Sequence, residues 1–422
     1  MTTADFHGLD WTEESFSITP TWTVEPDLKA AEEMVKSLGV TSGPINLSFL
    51  AQGAFNKVYV LATPEDEEDL ILRLTLPVDP RFKTLSEVAT VEWLRHNTDI
   101  PVARIVRYGE SRANLVGFEW ILMTKLPGKH LGDAWMSIPY AAKEALVRKF
   151  AEFSSTLFRK PLSGIGNIYG SSRSSSSRVG RIVSMQFFWG EHIHYDIPRG
   201  PFSSSRDWIN ARLALNEQDC RSILGKHSGK GEDDIDSDDE ADIDDAERTL
   251  DIITKLKPLV SQIFAVDHGG DEPSLLFHDD LSNHNILVDD SGALTGVLDW
   301  ECVSAVPRWK ACNYPTFLVS RSRDVKPEPK NYGYVDGKIT ELYGEHVMEY
   351  ELTHLRRVFL DEMARLEPGW MEMYNSSQLQ RDMELAVKFC DDEFSARRIN
   401  EWVDDVVAAK SNIPSLWDRF YM

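Results

Sequence analysis

The chain reads as an α+β protein of two lobes, a small β-rich N-terminal lobe and a larger, mostly helical C-terminal lobe. Three observations predict this. Strand-like apolar runs recur between Leu47 and Thr124 and run into Pro127-Gly128. Beyond Gly128, apolar residues return at helical spacing, as in Leu146, Phe150, Phe153 and Leu157. A length of 422 residues is long for one compact core and fits two.

Residues 1–45 read as an N-terminal extension that packs on the first lobe, with a helix from Asp27 to Leu38 between Pro26 and Gly39. Leu47–Leu50 and Val58–Ala62 read as strands joined by the loop Ala51–Lys57, which holds Gly53 and Asn56. A phosphate-covering loop and a plain hairpin both suit it. The next strand, Leu70–Leu74, carries Arg73, and the helix Thr84–His96 carries Glu87. Ile105–Tyr108 and Val116–Thr124 form a hairpin with Ser111–Asn114 at its tip. The apolar stripe beyond the boundary predicts a core-facing helix from Ala141 to Phe158.

Gly164–Tyr169 and Ser171–Ser177 read as loop, Val179–Trp189 as an added hairpin, and the region from Asp207 to Leu215 as helix. Gly229–Asp245 is a low-complexity acidic tract, expected to be disordered. It has no register with both the central glycine and the closing glutamate of an EF-hand loop. Ser237, followed by Asp238-Asp239-Glu240, suits an acid-directed kinase. Further helices are expected at Glu247–Phe264, Glu349–Leu366, Leu379–Cys390 and Glu393–Lys410. Asp391-Asp392-Glu393 either faces a cationic acceptor or is a solvated helix junction.

The stretch Leu275 to Trp300, LLFHDDLSNHNILVDDSGALTGVLDW, carries the chemistry. Asn285–Val288 and Leu294–Leu298 read as two strands about the turn Asp289-Asp290-Ser291-Gly292. An antiparallel hairpin there brings Asn285 and Asp299 together at its open end. A carboxylate beside an amide oxygen makes a hard, oxygen-rich site suited to Mg²⁺ bridging phosphates. Asp280, one loop away, is left to accept a proton from an attacking hydroxyl. Together these predict a phosphotransferase site.

Composition narrows the rest. The formal charge is −23, and residues 232–247 contribute 11 acids and no base, so the remainder still carries 57 acids against 45 bases. Such a surface argues against a nucleic-acid partner. No apolar run approaches the roughly 18 residues of a membrane span, and the N-terminus has no apolar leader pattern. Cys220, Cys302, Cys312 and Cys390 are scattered, which suggests reduced thiols and a cytoplasmic location.

The spacing His278-x-Asp280-x-x-x-x-Asn285, followed by Asp299, resembles the catalytic loop and metal aspartate of protein-kinase-like enzymes. The run FHDDLSNHNILVDDSGALTGVLDWE is similar to the aminoglycoside phosphotransferase and choline kinase-like family, especially its fungal group, in which Asp-Trp-Glu stands where protein kinases have Asp-Phe-Gly. The resemblance implies a two-lobed protein-kinase-like fold, with residues 46–124 as nucleotide-binding N-lobe and 125–422 as catalytic and acceptor-binding C-lobe. It implies ATP and Mg²⁺, and a small hydroxylated metabolite as acceptor. Asp280 would be the catalytic base, with Asn285 and Asp299 as metal ligands. Gly53, Asn56, Arg73, Glu87, Met123, Thr124 and Leu126 would hold the nucleotide. In the family a lysine normally occupies the Arg73 position, so the departure bears on turnover. Met123 would lie behind adenine, and the backbone from Thr124 to Leu126 would bond its edge.

Two other readings use the same residues. His278-Asp279 with His284 matches the dyad of helical metal phosphohydrolases, but here the dyad lies between β-type runs. A kinase-fold scaffold without catalysis (a pseudokinase) accounts for Arg73 and the single-glycine loop. It gives no reason for Asp280, Asn285 and Asp299 to occur together.

Overall fold

A computed structural model describes residues 6–14, 17–41, 44–62, 68–170, 177–228, 236–264 and 269–421. The chain opens on an antiparallel hairpin, β1 (Leu9–Glu14) and β2 (Ser17–Trp22), in which Leu9 stands opposite Trp22. The sequence reading had no strand there. Helix α1 (Leu28–Ser37) follows as expected, because the Asp27 carboxylate accepts from the Lys29 and Ala30 N–H groups and caps it.

The N-lobe is a five-stranded antiparallel sheet of order β3-β4-β5-β7-β6. Its strands are β3 (Leu47–Gln52), β4 (Asn56–Leu61), β5 (Leu70–Thr75), β6 (Ile105–Gly109) and β7 (Glu119–Thr124), with α2 (Phe82–Asn97) inserted before β6. Strand β5 is buried along its whole length. Alternation divides it: Leu70, Leu72 and Leu74 pack into one apolar cluster with Ala31, Met34 and Val35 of α1. Ile71, Arg73 and Thr75 therefore point to the other face, towards α2. That is why an arginine can be buried here.

The lobe boundary is set at Gly128, whose φ is +117°. A Cβ there would lie 2.3 Å from Thr295 Oγ1 and 2.8 Å from the Val288 carbonyl, so only glycine lets the crossing chain meet the catalytic hairpin. Next come β8 (Lys129–His130), α3 (Leu131–Ala134), α4 (Tyr140–Phe158), β9 (Leu162–Ser163), β10 (Asn167–Tyr169) and β11 (Arg178–Gly180). The expected hairpin at Val179–Trp189 is replaced: β11 pairs with β10, and α5 (Met185–Phe188) is a single helical turn. The turn sends two consecutive rings different ways. Phe187 enters a C-lobe cluster, and Phe188 enters a cluster with Phe55, Leu76 and Val78 of the N-lobe.

This insert fastens the lobes. Phe188 and Trp189 meet Phe55 edge-on at 5.5 and 6.0 Å between ring centroids, and Trp11 of the opening hairpin lies 5.0 Å from Trp189. Arg181 donates to both oxygens of the buried Asp79 at 2.7 and 2.8 Å. Replacing the fully buried Phe188 by alanine is expected to destabilise the protein by about 3–5 kcal/mol in denaturant unfolding.

Helices α6 (Ser205–His227) and α7 (Ser237–Ile263) pack along one another. The acidic tract expected to be disordered needs correction. Residues 229–235 lie outside the described residues, but from Ser237 onward the chain is helical. The Asp236 side chain accepts from the Asp238 and Asp239 N–H groups, and Asp239 returns the bond in a capping box. Three acids in the first turn also complement the helix dipole. The run of charge is thus the start of a helix whose buried stripe, from Ala246 to Val260, joins the core.

The catalytic stretch contains β12 (Pro273–Phe277), β13 (Ile286–Val288), β14 (Leu294–Val297) and β15 (Ser304–Pro307). The chain ends in α8 (Arg308–Ala311), the small hairpin β16 (Tyr334–Val335) and β17 (Lys338–Ile339), then α9 (Glu341–Leu366), α10 (Pro368–Ser376), α11 (Gln378–Lys388), α12 (Glu393–Val407) and α13 (Leu416–Tyr421). One cluster, with Trp135, Phe150, Phe359 and Trp370, supports the catalytic stretch from beneath. The four cysteines are unpaired, and no described helix is long and apolar enough to cross a membrane.

Candidate active site

The turn Asp289–Gly292 closes as its residues dictate. Asp289 Oδ1 accepts from the Ser291 and Ala293 N–H groups at 2.8 and 3.0 Å, and Gly292 takes φ +88°. β13 then pairs with β14, and the Leu298 N–H donates to the Asn285 carbonyl at 2.8 Å. The open end of the hairpin therefore holds Asn285 and Asp299 side by side. Asn285 Nδ2 donates to the Asp280 carbonyl at 2.8 Å and to Asp280 Oδ2 at 3.2 Å. This turns the amide oxygen of Asn285 away from Asp280. Asp280 itself is exposed to solvent.

His278 braces the loop from behind. Its Nε2 donates to the Leu298 carbonyl at 2.9 Å, and its ring meets Trp300 edge-on at 4.8 Å. Burial lowers its pKa, so it is a neutral strut. An apolar cavity of about 60 Å³, lined by Phe150, Leu157, Phe277, His278, Leu281 and Trp300, lies on this inner side and not on the solvent face of Asp280. The outer side is held by Lys310, 3.3 Å from both Asp279 and Glu384, with Arg212 donating to Glu384 at 2.7 Å. Burial alone would raise the Glu384 pKa, but Lys310 and Arg212 outweigh it and hold it at about 2. A depressed carboxylate stabilises the fold above its unfolded pKa and loses that contribution as pH falls towards 2. Wild type is therefore expected to lose about 3 kcal/mol more than Glu384→Gln between neutrality and pH 2, a divergence that urea unfolding at a series of acidic pH values will show.

Asp299 sits at φ +59°, a left-handed conformation that non-glycine residues rarely adopt. Its pKa is raised to about 7, by burial first and by Glu301 second, against the opposing pull of Arg73 and Lys83. A carboxylate so placed lacks positive charge. The oxygen donors of Asp299 and Asn285, completed by phosphates and water, fit a Mg²⁺ ion, which supplies that charge. Among the described residues no group of three or more His, Cys, Asp or Glu could hold a metal, which sets aside the phosphohydrolase-type site.

The upper half of the site is a buried charge cluster. Arg73 on β5 is ion-paired with Glu87 on α2, as expected. Four further groups join them. Lys83, on the first turn of α2, is ion-paired with Glu301 and donates to Asn56 Oδ1 at 3.3 Å. Asn56 Nδ2 donates to Glu301 Oε2 at 2.8 Å, Thr75 donates to Asn56 Oδ1 at 2.9 Å, and an Arg73 terminal nitrogen lies 3.8 Å from Glu301. Burial would raise the Glu301 pKa, but Lys83 and Arg73 lower it. Asn56 is thus held within the protein, its amide tied to the segment that follows Asp299. Gly53 has no left-handed φ, and a Cβ on it would meet nothing within 4 Å.

At the lobe junction Met123 is half-buried near the end of β7. The Thr124 N–H donates to the Arg104 carbonyl at 3.0 Å, and the Lys125 N–H donates to the Asp69 carbonyl at 2.8 Å, so both amides are bonded within the protein. The Leu126 N–H has no acceptor among the described residues.

A family model described as the phosphotransferase enzyme family (APH) matches residues 46–309. The chain belongs to that family. The chain is 26% identical over 312 residues to a subtelomeric hrmA-associated cluster protein of Aspergillus fumigatus, covering 64% of this chain and 60% of that one. It is 28% identical over 271 residues to clavilactone A biosynthesis cluster protein Y of Ampulloclitocybe clavipes, covering 61% and 60%. The chain thus spans about 60% of the length of the curated relatives it matches. Among solved structures it is similar to the aminoglycoside phosphotransferase APH(4)-Ia, at TM-score 0.43 and 15% identity over 92% of this chain and all of that one. It is also similar to an ethanolamine kinase of Plasmodium vivax, at TM-score 0.44 and 12% identity over 92% and 83%.

Two residues of this candidate site were missed from sequence. Glu301 was read only as the last letter of Asp-Trp-Glu. Lys83 was not singled out, because no local pattern marks it.

Proposed function

We propose that the chain is a cytoplasmic, ATP- and Mg²⁺-dependent phosphotransferase that moves the γ-phosphate of ATP to a hydroxyl of a small metabolite. One observation carries the reading: Asp280, Asn285 and Asp299 meet at the mouth of one hairpin, linked through Glu301 to the Arg73–Glu87 pair. Asp280 accepts the proton of the acceptor hydroxyl as its oxygen bonds to the γ-phosphorus and the bond to the bridging oxygen breaks. Asn285 and Asp299 would hold Mg²⁺, which neutralises charge on the phosphates when bound. Arg73, oriented by Glu87, would face the phosphates beneath the Gly53–Asn56 loop. Met123 and the free Leu126 N–H would receive the adenine. Most of the catalytic effect in such a site is positioning and charge stabilisation.

A non-catalytic scaffold is the second reading. It is favoured by the full pairing of Arg73 and Lys83 with carboxylates before any ligand arrives. Thermal unfolding with and without ATP, and with and without Mg²⁺, separates the two. A Mg²⁺-dependent rise in Tm with ATP supports the enzyme and opens the way to an acceptor screen. No shift under any condition leaves the scaffold.

A further inference from the structure

We propose that Lys83 is a second phosphate-binding cation of this site, presented by Glu301 from the segment that carries Asp299. The inference rests on the phosphotransferase reading above and adds to it a residue on α2.

Three observations converge on Lys83. The residue is 1% exposed although it lies in the first turn of a helix, where the dipole disfavours a cation and burial disfavours any charge. A lysine that served only to fill space there would be replaced at no loss by an apolar side chain. Its ammonium is instead drawn to the junction of the lobes, against Glu301 Oε2 and 3.3 Å from Asn56 Oδ1 at the foot of the Gly53 loop. An ammonium has three donors; two meet these oxygens, and the ammonium also lies over the Phe55 ring at 5.7 Å, a contact weaker than a phosphate oxygen would give.

Arg73 is less free. Its planar guanidinium is ion-paired with Glu87 on one side and lies 3.8 Å from Glu301 on the other. A rigid fork between two carboxylates acts as a fixed post, whereas an ammonium on a four-carbon stem adjusts to a phosphate oxygen. The division of labour follows. Arg73 ties β5 to α2, and Lys83 supplies the adjustable point charge. Glu301 makes the arrangement conditional on the catalytic hairpin, because it stands two residues beyond Asp299.

The test uses the full chain and calorimetric titration with Mg-ATP and with adenosine. Lys83→Met is expected to weaken Mg-ATP binding by about tenfold or more and leave adenosine binding unchanged, since only the phosphates meet the ammonium. Lys83→Met/Glu301→Gln removes both charges, so the fold keeps no unpaired carboxylate, and Mg-ATP binding is expected to stay weak. Recovery of wild-type Mg-ATP affinity in the double variant would overturn the proposal, because Lys83 would then be only the counter-ion of Glu301. Unchanged Mg-ATP affinity in Lys83→Met would overturn it as well. Failure of the wild-type chain to bind Mg-ATP at all would remove the phosphotransferase reading, and this inference with it.

Discussion

Asp280→Asn is expected to lower kcat by ~10²–10⁴ while leaving the Mg-ATP-induced rise in Tm intact. The substitution keeps the shape of the side chain and its contact with the Asn285 amide, and removes the lone pairs that take the acceptor proton. Asp280 is exposed and outside the buried charge cluster, so the fold has no reason to respond. Single-turnover phosphoryl transfer with any acceptor found by screening reads the first quantity, and the thermal shift reads the second. A variant with undiminished turnover would sink the assignment of Asp280 as base. A variant that lost the nucleotide response would mean that Asp280 holds metal, not proton.

Asp299→Ala is expected to change both properties that Asp280→Asn leaves alone, the stability without ligand and the response to nucleotide. A carboxyl whose folded pKa is raised to about 7 stabilises the fold below its unfolded pKa and loses that contribution as pH rises through 7. At pH 8 the ionised Asp299 is therefore a burden next to Glu301, and alanine relieves it by on the order of 1–3 kcal/mol in the absence of ligand. The same variant is expected to lose the stabilisation of about 2.7 kcal/mol that Mg-ATP gives at a hundred times its Kd. Greater stability without ligand and no response with it, measured in one urea series at pH 8, is a signature that a merely structural aspartate would not give. Lower stability without ligand would count against the charge crowding inferred here.

The parts of the site that were legible in the sequence are those fixed by neighbours in the chain. Asp289 and Gly292 define a turn by themselves, and the turn brings Asn285 to Asp299. Glu87 lies one helix beyond Arg73, and a strand followed by a helix needs only one relative orientation to join them. Lys83 and Glu301 are separated by most of the two lobes, and their meeting depends on how α2 docks over the hairpin. The bond from the Thr124 N–H to the Arg104 carbonyl is likewise not written in Thr124 itself. The opening hairpin was a different case. Leu9 and Trp11, then Ile18, Pro20 and Trp22, alternate as strands do, and the signal was present but was not read. The acidic tract misled through composition: charge alone reads as disorder, while its spacing from the Asp236 cap reads as a helix start.

The aromatic and ionic fastening of the lobes bears on the tempo of the reaction. Enzymes that swing shut over a nucleotide lose conformational entropy when it binds, and a molecule already held at Phe55, Asp79 and Trp11 by its insert has little left to lose. In the proposed phosphotransferase, nucleotide arrival would then be mild in entropy, and arrival and departure alike would have to pass the contacts of Phe188, Trp189 and Arg181. Where release limits turnover, a segment that holds none of the reacting groups governs how fast the whole cycle runs.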